Sequence, residues 1–158
     1  MYIYKQIEDE NPLFSFVTDS GVKYVLELLK QDFDNEYFKD LYILSFYPDV
    51  QEGVKLSNDI KIKATISQII INFLKQNPKA LVHYICDSID NRQYSRNRLF
   101  TKWFNESNTI NYYSKFNLNY PTVALVYTLE FLFISENYNI KELEKKVRQQ
   151  MNAFSDYK

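Results

Sequence analysis

Apolar residues recur at every second position in some stretches of this chain and at every third or fourth in others. The order in which the two periods alternate constrains the fold more than any other feature. Period two places side chains on alternate faces of a strand, and a period near 3.6 gathers them on one side of a helix. Phe14 and Phe16, then Val22, Tyr24, Leu26 and Leu28, alternate around Thr18-Asp19-Ser20-Gly21, which predicts a β-hairpin over 13–29. An acidic loop, Gln31 to Glu36, leads to a third strand, Leu41 to Tyr47, which Pro48 is expected to stop. A short strand near Tyr2–Tyr4 is a further candidate. Asn58 or Asp59 can cap a helix whose Ile62, Ile66, Ile69, Ile70, Phe73 and Leu74 share a face, with Pro78 marking its end. Its β-branched content weakens helix propensity, so burial must hold it.

Ala80 to Cys86 is apolar on both sides, the pattern of a central strand covered on both faces. Asp90-Asn91-Arg92-Gln93 has the form of a capping box and opens a helix that runs through Leu99, Phe100, Trp103 and Phe104. Ile110–Phe116 and Thr122–Ile134 predict a second hairpin around Asn117-Leu118-Asn119-Tyr120-Pro121. In its last strand the face with Thr122, Val126, Thr128 and Glu130 is the more polar one. Asn139-Ile140-Lys141-Glu142 opens a final helix lined on one side by Ile140, Leu143, Val147, Met151 and Phe154. The resulting order, β-β-β-α-β-α-β-β-α, predicts an α+β two-layer sandwich with a mainly antiparallel sheet and about three helices. At 158 residues, 1–158 reads as a single domain.

Composition removes several chemistries. The two glycines, Gly21 and Gly53, stand apart and cannot form a phosphate-cradling loop. One histidine and one cysteine, His83 and Cys86, do not supply a zinc site, and no intrachain disulfide can form. We expect no cofactor and no metal. No secretory signal or membrane-spanning run is read, so the expectation is a cytoplasmic protein with no membrane partner. The net charge of −1 excludes a uniformly basic or acidic surface, yet it is unevenly placed. Residues 1–60 hold 5 basic and 12 acidic side chains, and residues 61–158 hold 14 and 8. This split reads as complementary packing of the two halves or plain solvation, with an internal dipole or two faces for different partners as the alternative.

Tyr84-Ile85-Cys86-Asp87-Ser88-Ile89-Asp90-Asn91-Arg92-Gln93 is followed by Arg96, Arg98, Leu99, Phe100, Trp103 and Phe104. With Phe14-Ser15-Phe16-Val17-Thr18, Gly21, Tyr24 and Thr65-Ile66, this pattern resembles a family of small bacterial proteins that is a domain of unknown function. The resemblance implies no established activity, cofactor or catalytic residue.

The concentrated polar chemistry lies at Cys86, Asp87, Asp90, Arg92, Arg96 and Arg98, with Trp103 behind it. Carboxylates facing arginines can bind a phosphate or move protons. The same residues also make a structural network: Asp90 caps a helix, and Arg96, on the side of Phe100 and Trp103, can pair with Asp87. Cys86 reads as a core cysteine, and His83 as a hydrogen-bonded interior histidine on the face of Leu81 and Ile85. The basic helix 91–104, with Arg92, Arg96, Arg98 and Lys102, offers phosphate contacts to a nucleic acid, but its thick apolar face has to be covered. Lys141, Lys145, Lys146 and Arg148 form a solvated helix face. Surplus tyrosines at strand and chain ends, Tyr112, Tyr113, Tyr120, Tyr138 and Tyr157, are expected at a contact surface. The leading expectation is a non-enzymatic protein-interaction module of accessory, immunity or antitoxin type, with a protein partner or a homodimer. The alternatives are an anion-binding enzyme built on Asp87, Asp90, Arg92 and Arg96, and nucleic-acid binding through the basic helix.

Overall fold

The computed structural model describes residues 1–8, 11–32, 34–50, 59–86, 98, 101–106, 113–121 and 126–155. Their strands are β1 (Tyr4–Glu8), β2 (Leu13–Val17), β3 (Lys23–Lys30), β4 (Leu41–Asp49), β5 (Leu81–Cys86), β6 (Tyr113–Pro121) and β7 (Val126–Ile134). The helices are α1 (Ile60–Gln76), α2 (residues 101–106) and α3 (Ile140–Ser155). One seven-stranded sheet runs in the order β1-β2-β3-β4-β5-β7-β6. Every neighbouring pair is antiparallel except β4 and β5. This is the α+β architecture expected from the periodicities, in the expected order, with β1 added ahead of it at Tyr4–Glu8.

Local chemistry explains the connections. In the β2–β3 turn the Thr18 N–H donates to the Val22 carbonyl and the Gly21 N–H to the Thr18 carbonyl, both at 2.9 Å. Gly21 sits at φ +81°, a left-handed conformation that glycine adopts without a Cβ penalty. The acidic loop closes as a single 3-10 turn, Glu36–Phe38, because the Asn35 side chain accepts from the Tyr37 N–H at 3.0 Å and Phe38 is buried. Asp59 caps α1 by accepting from the Lys61 N–H at 2.8 Å. Asn139 caps α3 by accepting from the N–H groups of Lys141 and Glu142.

Alternation along the strands builds two cores. On one face Phe14, Phe16, Tyr24, Leu26, Leu28, Leu44, Val82 and Leu132 pack under α1, which buries Ile62, Ile66, Ile69, Phe73 and Leu74. On the other, Leu81, Phe116, Leu118, Leu129, Phe131 and Phe133 pack under Leu143 and Val147 of α3. The β5–β7–β6 half is therefore covered on both faces, and α3 adds a layer to the two that α1 and the sheet provide. β5 is the covered central strand that its composition implied, with Leu81, Val82, His83 and Tyr84 all buried.

Four local expectations are corrected. Pro48 does not stop β4, which runs on to Asp49 in register with β3 (Tyr24↔Pro48). Proline is tolerated there because β5 no longer lies alongside that part of β4. The second hairpin does not turn at Asn117–Pro121. These residues continue β6 to the pair Pro121↔Val126, because Asn117 is the polar alternate between buried Phe116 and Leu118. Ile140 is exposed rather than part of the buried stripe of α3. Tyr113 is buried, and Tyr138 is half-buried with its hydroxyl donating to the Lys79 carbonyl at 2.7 Å. Neither offers the free tyrosine surface expected. Burial, with smaller contributions from Asp40 and Tyr37, pushes the Tyr138 hydroxyl up to about 12. Tyr112 and Tyr157 lie outside the described residues, as does the side chain of Tyr120.

Candidate functional site

β4 and β5 are in register over three positions: Leu41↔Leu81, Tyr42↔Val82 and Ile43↔His83. Beyond them the two strands part. β4 continues to Asp49, held by β3 on its other side, and β5 continues to Cys86, held there by β7. Among the described residues no ladder bond joins the inner edges of 44–49 and 84–86. The β4–β5 ladder among the described residues thus ends at Ile43 and His83. The opening lies at the carboxyl ends of parallel strands, where sheets of this kind commonly bind ligands.

Leu44 and Tyr84, the first residues past the last pair, line an apolar cleft. α1 supplies Ile66, Ser67, Ile70, Ile71 and Leu74, α2 supplies Trp103 and Phe104, and Tyr113 and Leu132 come from β6 and β7. The cleft holds a cavity of about 60 Å³. Its walls are hydrocarbon and aromatic edge, with Ser67 and the tyrosine hydroxyls as the polar exceptions.

Two ion pairs flank it. Lys115 of β6 and Glu130 of β7 meet at 3.1 Å, with side-chain exposures of 9% and 0%, and the Lys115 ammonium also donates to the Thr101 hydroxyl of α2. On the face of β7 that the sequence marks as polar, Glu130 is thus fully interior, and its neighbours Leu132 and Ile134 are buried beside it. Lys63 of α1 pairs with Glu106 of α2. On the opposite face of the sheet, the His83 ring stacks on Phe131 with centroids 4.7 Å apart. Its Nδ1–H donates to the Glu130 carbonyl at 3.1 Å, since a carbonyl can only accept. Burial outweighs that bond and lowers the His83 pKa to about 4, so the ring is a neutral interior histidine, as its position in the strand implied.

Of the seven candidate residues, the structure locates the side chains of two. Trp103 lines the cleft. Arg98 is exposed and lines a separate open groove with Thr101, Lys102, Asn105, Glu106 and Asn117. The two therefore face different spaces. Cys86 ends β5, but its side chain lies outside the described residues, as do Asp87, Asp90, Arg92 and Arg96 entirely. Sequence reasoning missed the Lys115–Glu130 pair and the cleft itself. A lone carboxylate inside the run Tyr127–Phe133, opposite a strand carrying a lone lysine, was the available signal. Among the described residues no cluster of His, Cys, Asp and Glu could hold a metal ion, and no helix is long and apolar enough to cross a membrane.

No curated protein matches the chain. A solved structure described as "Crystal structure of a putative phosphinothricin N-acetyltransferase" is similar at a TM-score of 0.43 and 12% identity, over 79% of this chain and 71% of that one. A likeness this distant bears on neither activity nor ligand. A family model covers residues 58–149, which hold α1, β5, α2, β6 and β7 and so nearly the whole cleft; the chain belongs to that family, described as a family of unknown function (DUF6169).

Proposed function

We propose that this protein is a binding module that seats an apolar group of an extended, amide-bearing partner chain in the cleft beside the point where β4 and β5 part. One observation carries the reading: the strands part at Ile43 and His83, and the first residues beyond, Leu44 and Tyr84, are walls of the cleft. A pocket beside an extended ligand gives selectivity for one of its side groups. The chemistry is shared by a peptide segment of a partner protein and by the amide arm of an acyl-coenzyme A. Cys86, Asp87, Asp90, Arg92 and Arg96 follow directly on β5 in the chain, and we assign them the polar contacts at the ligand's outer end.

Backbone amide resonances of isotope-labelled protein, followed while a long-chain acyl-coenzyme A or a displayed pool of short peptides is added, test this. Shifts concentrated at 44–49 and 84–86 are expected with one of the two. Ile70→Trp, which fills the cleft, should weaken that binding about tenfold or more, the order of 1.4 kcal/mol. Peptides alone shifting these amides identifies a protein-interaction module, and the acyl-coenzyme A alone a small-molecule binder. Consumption of the thioester would make the chain an enzyme and overturn the module. Silence with both overturns the site.

A further inference from the structure

We propose that the uncovered face of β1–β4, on the side of the sheet away from α1, is where a second copy of this chain packs, sheet face against sheet face. α1 covers one side of these strands through Phe14, Phe16, Tyr24, Leu26 and Leu44. On the other side, among the described residues, α3 packs on the β5–β7–β6 half and on Leu41 at the start of β4. The pairs Lys5↔Ser15, Ser15↔Val25 and Val25↔Tyr47 set these four side chains in one row across the remaining face. Val17↔Lys23 and Lys23↔Asp49 form the next row on one side, and Leu13↔Glu27 and Glu27↔Ser45 on the other. Val17, Leu29 and Tyr47 are 55%, 42% and 48% exposed, with the buried Ser15 and Val25 as the floor between them. Ile3 and Ile7, on either side of Lys5 in the chain, are exposed as well. Contiguous exposed apolar surface rimmed by polar groups marks a contact site. It lies on the opposite side of the sheet from the cleft, so it stands or falls without it.

The charges on this face select the partner. Lys23 and Asp49 neutralise each other within it at 3.1 Å. Lys5 and Glu27 have no ion-pair partner among the described residues. They stand on β1 and β3, either side of β2 and one row apart. A two-fold axis lying in the contact plane over β2 therefore sets each Lys5 on the Glu27 of the other copy, and symmetry forms the pair twice. A uniformly acidic partner would oppose Glu27, and a uniformly basic one would oppose Lys5. Joining two sheets through the β1 edge is the competing arrangement. The β1 ladder shifts register between Gln6 and Glu8, and Lys5 sits on that strand; a bulge and a charge are devices that keep an edge from pairing. Four strands about 4.8 Å apart, with residues rising about 3.3 Å each, give a face of roughly 400 Å². That is about half of the ~800 Å² each partner gives to a standard interface, so the dimer is a reversible one that forms with concentration.

Sedimentation velocity of the full chain, from micromolar to millimolar protein, tests this, and a monomer–dimer equilibrium is expected. Val17→Asp puts a charge at an exposed position in the middle of the contact and should weaken association about tenfold or more. Lys5→Glu and Glu27→Lys should each weaken it about two- to tenfold, because like charges then meet twice. Thermal midpoints close to the parent's, expected for exposed positions, show that these variants fold. Both reversals in one chain should restore the parent's association. Mixing the Lys5→Glu chain with the Glu27→Lys chain should give a mixed dimer tighter than either variant forms with itself, since both cross-copy pairs are then of opposite sign. A monomer at every concentration overturns the proposal, and so does a dimer that Val17→Asp leaves intact. Slower hydrogen exchange on association confined to the amides of β1 marks edge pairing and overturns the face. A mixture that associates no better than its components overturns the Lys5–Glu27 pairing and the two-fold arrangement built on it.

Discussion

His83 is the chain's one histidine, and its surroundings fix the sign of its pH response. The ring is buried against Phe131, and desolvation lowers its pKa from 6.5 to about 4. The unfolded chain therefore binds this proton more readily than the folded one. Stability from this site is fully present above about pH 6.5 and is lost as the pH falls toward 4, with a slope approaching about 1.4 kcal/mol per pH unit between them. Urea midpoints measured at intervals over that range should fall as acid is added. In His83→Phe, which keeps the stacking and cannot protonate, the slope over this window should be smaller. Equal slopes in the two proteins would show that the buried ring does not set the acid response. Glu130 and Lys115 make a second residue-scale case. Lys115→Met removes the lysine paired with a fully buried carboxylate and should cost about 3–5 kcal/mol, whereas Lys115→Met with Glu130→Leu should recover most of that loss, because hydrophobic replacement of a buried pair is often neutral. The comparison is read from denaturation midpoints of the three proteins.

The elements were legible where one periodicity governed many residues. α1 combines an Asp59 cap with a stripe that is buried at Ile62, Ile66, Ile69, Phe73 and Leu74, so local and tertiary signals agree. The β2–β3 hairpin was equally clear because its turn needs a left-handed residue and Gly21 is there. Boundaries failed where a polar residue had two meanings. Asn117 and Pro121 are common in turns, and here they are alternates on β6. Pro48 commonly ends a strand, and here it lies where β4 has lost a neighbour. The cleft was not legible for a related reason. A cleft between α1, α2 and parting strands depends on which strands are neighbours, and the β5-β7-β6 order inserts the last strand between its predecessors. Periodicity carries no information about that order. Trp103 stands among the candidate residues, and its place as a cleft wall depends on β4 lying opposite α2.

At the scale of the molecule, β5 and β7 belong to two cores at once. Val82 and Leu132 face α1, and Leu81, Phe131 and Phe133 face α3. A side chain lost on one face cannot loosen its core without disturbing strands that the other core also needs, so the two cores should melt as a unit. Ile69 and Leu143 are both fully buried, one under each helix, and they belong to different clusters. Ile69→Val should cost about 0.5–1.5 kcal/mol and Leu143→Ala about 2–5 kcal/mol. Residues that share no packing partner usually add within about 0.5 kcal/mol, so the double variant should show nearly the sum. Fluorescence from Trp103, on the α1 face, and far-ultraviolet dichroism, which sees the whole chain, should give one midpoint in urea for each of the four proteins. Leu143→Ala would separate the two probes if the halves were independent. The Trp103 signal would then keep its midpoint while dichroism acquired an earlier transition, and 1–158 would have to be divided at the sheet.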